Sequence, residues 1–410
     1  MNDSDKELKE IVLRDLEPVL RQRLGDNVIV ESYTSDSLLP PGENYGSTIL
    51  SVHVDYKHGQ AGKKEELDLI AKMLPPTEFQ RRIFSSSRTF VKEIFMYETV
   101  MPAYNKLEME CGLRKNEIFD ILPKFYGSRL SMQLDLEFDD NAVFLMDNLK
   151  VKGYYTGNRS IGYDLEHSGL AIKALARFHA LGMAMKQKKP GIFEMFKMHA
   201  RSLQIDGDAI ALLKSTLEKI KEDPEINVYY DRCEKILNAA TIGDLWADAP
   251  RDPWVSIIHS DFWVNNVLFH RDESGKIDDV KFVDFQMYLY SSPLRDLLFY
   301  LFSSVQLDVT DDQIEGLMDL YYETVLHTLK NMKCDTSAFT KEGYRERISK
   351  EACREFTHLC VMIKILTMNV KESDYSVEKM QNVVVNYGGS ATFMDRLRRI
   401  VIYFCKHDWI

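Results

Sequence analysis

Several features that define common classes of protein are scarce or absent in this 410-residue chain. There are only six cysteines, none in a Cys-x-x-Cys pair, so we expect reduced thiols rather than a disulfide framework or a zinc site. No apolar run approaches the roughly 18 residues that cross a bilayer. The charged N-terminal stretch also lacks the apolar core of a secretory leader. These absences predict a cytoplasmic protein with no membrane partner.

Positive charge is also in short supply. The chain has 52 Lys and Arg against 63 Asp and Glu, for a net charge of −11. Since a nucleic-acid-binding protein needs a basic face that releases counterions, the composition argues against a nucleic-acid partner. It does not argue against ATP, because a few local cations and backbone amides can bind phosphates. Hydrophobic residues make up 45% of the chain, which excludes a disordered protein and predicts a large core. We expect a monomer.

The pattern of apolar residues changes near residue 147. Before that point, alternating β-branched residues predict strands at 28–33, 47–56, 67–73, 132–136 and 142–146, with a weaker one at 122–126. Helical spacing is found there at 5–24, with a possible break at Pro18, and at 87–101. Beyond residue 147, helices are predicted at 165–186, 208–221, 312–333, 345–370 and 390–405, with strands only at 267–270 and 280–285. The fold class is therefore α+β, with a small β-rich lobe over 1–147 and a larger, mainly helical lobe over 148–410.

One stretch of the second lobe carries a set of oxygen ligands suited to phosphoryl transfer. An apolar run leads into His259-Ser-Asp261, Asn266 follows five residues after the aspartate, and a second apolar run ends in Asp284-Phe-Gln. Phosphoryl transfer needs one carboxylate to orient the attacking hydroxyl and other oxygens to hold Mg²⁺ against ATP. The spacing predicts Asp261 for the first task and Asn266 and Asp284 for the second. Chance spacing is the alternative, but both apolar runs and the β-rich lobe upstream favour function.

The first lobe should then supply a lysine for the phosphates and a glutamate to hold it. Lys72 lies on a predicted strand, and Glu93 follows 21 residues later on the predicted helix. We assign these two residues to the catalytic set. The competing glutamate is Glu98, on another helix face, and the competing lysines lie in or near a polar turn at positions 57, 63 and 64.

Two further segments are candidates for nucleotide contacts. A loop before the second strand carries two glycines and two hydroxyls, whose groups could cover the phosphates: Gly42, Gly46, Ser47 and Thr48. The strand at 142–146 ends at the lobe junction, where the backbone near Met146 and Asn148 would contact adenine. Asp147 between them could instead cap a turn.

Asp296 and His179 each admit two interpretations. Asp296 opens a predicted helix after Pro293, where its carboxylate could accept amides of the catalytic loop or could simply favour the helix dipole. His179, in a strongly apolar helix, is more typical of a core histidine with satisfied hydrogen bonds.

Taken together, these residues resemble a known family. The run IIHSDFWVNNVLF with VKFVDFQMYLYSSPLRDLLFYL, together with PGENYGS, FVKEIFMYETVMP, FLMDNLKVKGY and LARFHALGMA, is similar to the ecdysteroid kinase-like, or CHK kinase-like, family of insects. The similarity extends across nearly the whole chain in the same order. It implies a protein-kinase-like fold related to choline kinases and aminoglycoside phosphotransferases. It also implies ATP- and Mg²⁺-dependent phosphorylation of a small-molecule hydroxyl, on an ecdysteroid or on a plant-derived or xenobiotic alcohol.

The resemblance assigns roles residue by residue. His259, Asp261 and Asn266 match the family's His-x-Asp-x4-Asn motif, which places His259 in the catalytic set, and Asp284 matches its Asp-Phe-Gln. Lys72 and Glu93 match its ATP-lysine and helix-glutamate positions.

The chain also departs from related patterns. Met-Asp-Asn-Leu stands where the family often has Glu-Asp-Leu, and Ser260 stands where protein kinases have arginine. No Ala-Pro-Glu follows the Asp-Phe-Gln, so a protein substrate is disfavoured. A nucleotide-binding pseudokinase or a carrier of apolar ligands remains the alternative, although such a protein would not need Lys72, Asp261, Asn266 and Asp284 together.

Overall fold

The computed structural model describes residues 12–38, 46–133, 135–201, 209–239, 251–368, 387 and 389–410. Within these ranges the chain forms two compact units. The first contains the described residues up to 99 and those from 122 to 154, and the second contains 100–121 and the described residues from 155 onward. The expected boundary after residue 147 differs from this division in two places, because 100–121 folds with the helical unit and the first unit extends to 154.

The first unit is built on a five-stranded antiparallel sheet in the order β1-β2-β3-β5-β4. The strands are β1 Val28–Ser37, β2 Thr48–His58, β3 Lys64–Met73, β4 Phe125–Arg129 and β5 Val143–Asp147. Helix α1, Glu17–Leu24, packs on one face, where alternate strand residues such as Val52, Ala71 and Leu145 form an apolar cluster. Because strand side chains alternate between faces, Lys72 and Phe144 lie on the opposite face.

Helices α2, Glu78–Ile83, and α3, Ser86–Phe95, follow the third strand. Phe90 of α3 packs on Phe144, with ring centroids 5.2 Å apart, so α3 covers the face that carries Lys72. A π-helical turn, Met96–Val100, comes directly after α3. Together α3 and this turn account for the helix predicted over 87–101.

Two predictions for the first unit need correction. The helix expected over 5–24 begins only at Glu17 in the described residues, with Pro18 in its first turn, where a missing amide hydrogen costs nothing. The strand expected over 132–136 is wrong. There the Asp139 carboxylate accepts amides from Met132 and Asn141, so this segment folds around a side chain instead of a sheet ladder.

The second unit is mainly helical. Its helices are α4 Met101–Cys111, α5 Leu165–Lys188, α6 Pro190–His199, α7 Ala209–Glu222, α8 Tyr230–Ala239, α9 Leu294–Ser303, α10 Asp311–Asn331, α11 Lys341–Thr367 and α12 Ala391–Lys406. Two small antiparallel sheets pair β6 Ser256–Ile258 with β9 Leu289–Ser291, and β7 Val267–Arg271 with β8 Ile277–Phe282. The α+β class, the five helices predicted here and the β7–β8 hairpin are confirmed. Strands β6 and β9 were not predicted. Each has only three residues, most of them buried, so neither shows the alternation of apolar and polar residues that indicates a strand.

Helix α5 is the central element of this unit and is buried along most of its length. It packs against α10 and against β6, the strand that leads into His259. Gly182 permits the second contact, since a Cβ there would overlap Ser256 Oγ and lie 2.8 Å from the Tyr104 hydroxyl. In the described part of the chain, no helix is long and apolar enough to cross a membrane.

We expect Gly182→Ala to lower the free energy of unfolding by about 1–3 kcal/mol, because the added methyl group forces α5 away from β6. The matched control is Gly169→Ala in the same helix, where the nearest atom would be 3.9 Å away and the better helix propensity should stabilise by up to about 1 kcal/mol. Urea unfolding of both variants measures the difference. Equal effects would contradict the close-approach explanation.

Candidate active site

Lys72 and Glu93 form a buried ion pair in the first unit. The ammonium of Lys72 lies 2.6 Å from Glu93 Oε2, and both side chains are almost inaccessible. Strand β3 points Lys72 toward α3, and the buried face of α3 presents Glu93. An ion pair taken out of water has to be fixed in geometry to offset its desolvation. The structure therefore brings together the two residues that the spacing paired.

The competing residues are engaged elsewhere in the same unit. Lys57 pairs with Glu31 at 2.6 Å, and Lys64 pairs with Asp55 at 2.9 Å. Lys63 is exposed in the turn between the two strands. Glu98 lies in the π-helical turn, 3.6 Å from a guanidinium nitrogen of Arg23. Among these candidates, only Lys72 and Glu93 join a strand to a helix within the core.

The predicted phosphate loop connects β1 to β2. Gly42 lies outside the described residues, and Gly46 and Ser47 immediately precede β2. Thr48 is the first residue of β2, and the next residue, Ile49, pairs with Lys72 across the ladder. The strand register therefore places the described end of the loop beside Lys72.

The segment around Met146, where the main chain is expected to contact adenine, makes several contacts within the first unit. Met146 is buried in β5, where its sulfur accepts the Tyr97 hydroxyl at 3.6 Å. The amides of Asp147 and Asn148 donate to main-chain carbonyls at 2.9 and 3.1 Å. After β5, the amide of Asn148 is still hydrogen-bonded, whereas the amide of Leu149 has no acceptor among the described residues. The side chains of Met146 and Asn148 are thus part of the internal packing of this unit.

In the second unit, Asp296 determines the shape of the loop that carries Asp261. Its buried carboxylate accepts the amides of His259 and Ser260 at 2.6 and 2.8 Å. Ser260 has a positive φ of 69°, a conformation that a non-glycine residue keeps only where its surroundings enforce it. Asp296 also lies in the first turn of α9, so the two interpretations of this residue are compatible.

His179 is buried in α5, as expected for a core histidine, but its partners connect it to this loop. Its Nε2 lies 3.1 Å from Asp296, and its Nδ1 lies 2.8 Å from the Tyr321 hydroxyl. The sequence offered no signal for this contact, because 117 residues separate His179 from Asp296.

His259 is bound to main-chain atoms on both sides of its ring. Its Nε2 lies 3.0 Å from the carbonyl of Val283, and the Asp261 amide donates to its Nδ1 at 3.3 Å. Burial lowers its pKa, which favours the neutral ring with the proton on Nε2. These contacts place His259 between the loop of Asp261 and the strand end that precedes Asp284.

Hydrogen bonds join Asn266 to Asp261 and to Val283, the residue that precedes Asp284. Asn266 Nδ2 donates to the carbonyl and to Oδ2 of Asp261 at 2.9 and 3.0 Å, and the carbonyl of Asn266 accepts the Val283 amide at 3.1 Å. Burial, followed by the charge of Asp284, raises the pKa of Asp261 to about 7.

This arrangement fits a divalent cation. With its nitrogen bound to Asp261, Asn266 keeps an amide oxygen as the atom able to ligate a metal, and Asp284 adds a carboxylate. Such hard oxygen donors suit Mg²⁺, and a cation would offset the repulsion between the two aspartates.

Comparison with known proteins identifies one family. Residues 41–334, more than two thirds of the chain, match the model of the ecdysteroid kinase-like family. No curated protein matches the chain.

Similar solved structures include three kinases. A Plasmodium vivax ethanolamine kinase is 10% identical, with 86% of this chain and 82% of that chain covered and a TM-score of 0.40. An amicoumacin kinase in complex with AMP-PNP and Ca²⁺ is 13% identical, with 86% and 88% covered and a TM-score of 0.40. A Cryptosporidium parvum choline kinase is 8% identical, with 92% and 89% covered and a TM-score of 0.38.

We expect Asp296→Asn to lower the free energy of unfolding by about 2 kcal/mol, because hydrogen bonds from two buried amides lose a charged acceptor. The matched control is Asp278→Asn, which removes an exposed contact with His270 and should change stability by less than about 0.5 kcal/mol. Urea unfolding compares the two variants. Similar losses would show that Asp296 does not support the loop.

Proposed function

The chain belongs to the ecdysteroid kinase-like family, and from that premise we propose that it transfers the γ-phosphoryl group of ATP to a hydroxyl of a small molecule. The observation that carries the proposal is that Asn266 is hydrogen-bonded both to Asp261 and to Val283, the residue next to Asp284. A binding protein has no need for a carboxylate placed beside two metal-type oxygen donors.

In the first unit, the proposed roles are binding and orientation. Lys72, held by Glu93, aligns the α- and β-phosphates of ATP. Backbone amides and hydroxyls of the loop that includes Gly42, Gly46, Ser47 and Thr48 cover the phosphates. The adenine edge is contacted by the main chain around Met146 and Asn148, where the Leu149 amide is a donor with no acceptor among the described residues.

In the second unit, Asn266 and Asp284 would hold Mg²⁺, which when bound neutralises charge on the phosphates. Asp261 accepts a hydrogen bond from the acceptor hydroxyl and takes its proton as the phosphoryl group transfers. His259 positions this set through its hydrogen bonds to the main chain of Val283 and Asp261. Catalysis consists mainly of orientation and charge stabilisation.

We propose that the acceptor is an ecdysteroid or a plant-derived or xenobiotic alcohol. The family assignment supports this class. A screen with ATP, Mg²⁺ and panels of ecdysteroids, plant alcohols and choline, read by mass spectrometry, tests it. A mass increase of one phosphate on a steroid or plant alcohol supports the proposal. Phosphorylation of choline alone would overturn the acceptor class, and binding of ATP with no transfer to any alcohol would favour a pseudokinase.

We expect Asp261→Asn to reduce phosphate transfer by about 10²- to 10⁴-fold, because the carboxylate that receives the hydroxyl proton is lost. ATP binding should persist, since Lys72 and the phosphate loop are unchanged. Radiolabel transfer and calorimetric ATP titration measure the two effects. Asp278→Asn, at an exposed position, is the control that should leave both unchanged. Full activity of Asp261→Asn would exclude this mechanism.

Lys72→Met should weaken productive ATP binding and lower turnover by at least about tenfold, because the phosphates lose a charged partner. Lys64→Met on the same strand removes only a surface ion pair with Asp55 and should leave turnover unchanged. Steady-state assays over a range of ATP concentrations distinguish the two lysines. Equal losses would show that Lys72 has no special role.

A further inference from the structure

A short 3₁₀ turn, Val264–Asn266, carries Asn266 between the loop of Asp261 and strand β7. Two side chains that the proposed mechanism does not use contact this turn. Tyr163 lies just before α5 and Ser304 just after α9, and both are almost completely buried. Each presents a hydroxyl group to the main chain at one end of the turn.

The start of the turn is bound by Ser304. The amide of Val264 donates to Ser304 Oγ at 3.0 Å, and the hydroxyl of Ser303 lies 2.9 Å from the same oxygen. The first amides of a helical turn have no carbonyl partner within the turn, and a buried amide without an acceptor is costly. Ser304 therefore supplies the acceptor for the amide at which the turn begins.

The end of the turn is bound by Tyr163. Its hydroxyl donates to the Val267 carbonyl, 2.7 Å away, and lies 3.3 Å from the Val264 carbonyl. The same oxygen accepts the Gly157 amide at 2.7 Å, so the hydroxyl acts as donor and acceptor at once. Because Val267 follows Asn266 directly and begins β7, this bond fixes the main chain on the hairpin side of Asn266.

Ring contacts set the direction of the Tyr163 hydroxyl. The ring stacks on His167, with centroids 5.5 Å apart and an interplanar angle of 17°. It also meets Phe269 in a T-shaped arrangement at 4.9 Å. A phenylalanine in place of Tyr163 would keep both ring contacts and remove only the hydroxyl.

The two segments that supply these hydroxyls are bonded to each other. The Tyr163 amide donates to the Ser304 carbonyl at 2.7 Å. The buried guanidinium of Arg396, from α12, donates to the Ile161 carbonyl at 2.9 Å and to the Val305 carbonyl at 3.2 Å. A direct hydrogen bond and a shared cation thus tie the two segments together.

The main chain of the turn determines where the Asn266 side chain points. Its Nδ2 donates to the carbonyl and to Oδ2 of Asp261, and its own carbonyl accepts the Val283 amide at 3.1 Å. With the nitrogen used in this way, the amide oxygen is the atom left for a metal ion. When a group that orients a metal ligand is removed, metal affinity typically falls by about ten- to a hundredfold.

We propose that Tyr163 and Ser304 are positioning residues for the metal ligand Asn266. In this role their hydroxyls hold the turn so that the Asn266 oxygen is directed at a divalent cation. This inference rests on the proposed function, which assigns Asn266 to the metal. The alternative is that both hydroxyls only add stability, as other buried hydrogen bonds do.

Binding of Mn²⁺ in the presence of AMP-PNP, followed by electron paramagnetic resonance, tests the proposal without turnover. We expect Tyr163→Phe to weaken Mn²⁺ binding by about tenfold, as for the loss of a group that orients a ligand. Tyr344→Phe is the matched control, because the buried Tyr344 hydroxyl also donates to a main-chain carbonyl, that of Met318, at 2.7 Å.

The control variant should shift the urea midpoint about as much as Tyr163→Phe does and leave Mn²⁺ binding unchanged, since both lose one buried hydrogen bond. Equal Mn²⁺ affinity in Tyr163→Phe and wild type would overturn the positioning role. Ser304→Ala should weaken Mn²⁺ binding by at least about threefold, and an unchanged affinity there would overturn the role of Ser304.

A double-mutant cycle shows whether Tyr163 acts through Asn266. Asn266→Ala should weaken Mn²⁺ binding by at least about tenfold, because an oxygen ligand is lost. Addition of Tyr163→Phe to that variant should change the affinity by less than about twofold. Additive losses would show that Tyr163 affects the metal by another route and would contradict the proposal.

Turnover separates this inference from the proposed function. In Tyr163→Phe, the free Mg²⁺ concentration for half-maximal phosphate transfer should rise by about tenfold, whereas kcat at saturating Mg²⁺ should fall by less than about threefold. An active wild type together with a Tyr163→Phe variant of unchanged Mg²⁺ dependence overturns the inference alone. A wild type that binds Mn²⁺ but transfers phosphate neither to water nor to any alcohol overturns the proposed function.

Discussion

The carboxylate of Asp296 receives two consecutive main-chain amides, and the geometry of the loop that carries Asp261 depends on it. A positive φ at Ser260 is unfavourable for a residue with a side chain, and it persists because both amides are bound. Asp296 is in turn held by His179, which binds Tyr321 on its other nitrogen. Helices α5 and α9 therefore meet at this carboxylate, and α10 joins them through Tyr321.

Buried ion pairs mark the places where each unit fixes a charge. The pair of Lys72 with Glu93 lies between a strand and a helix, and the pair of Arg295 with Glu355 lies between two helices. Removing such charges from water costs several kcal/mol per ion, and apolar residues could fill the same space. This desolvation cost is understandable where the ion pair orients a charged group that the reaction uses. In the proposed function, Lys72 directs its charge at the phosphates in this way.

Local sequence patterns predicted many residues of the candidate site. The spacing from His259 to Asp284 identified both loops, and a turn at 272–275 between apolar runs identified the hairpin that joins them. Strand alternation directed Lys72 toward the helix of Glu93. The same reasoning failed at 132–136, because a side chain such as Asp139 can satisfy backbone amides without a strand partner. It also missed that Asn148 uses its amide within the sheet.

The sequence by itself determined the family, the α+β class, the main helices and the identity of the oxygen-bearing residues, because periodicity and motif spacing act over a few to some twenty residues. Only the tertiary structure decided that Asp296 supports the loop of Asp261 and that His179 supports Asp296. These contacts join residues 36 to 117 positions apart. No local pattern encodes them, since they arise when packing of the helices brings buried polar groups together and each must find a partner.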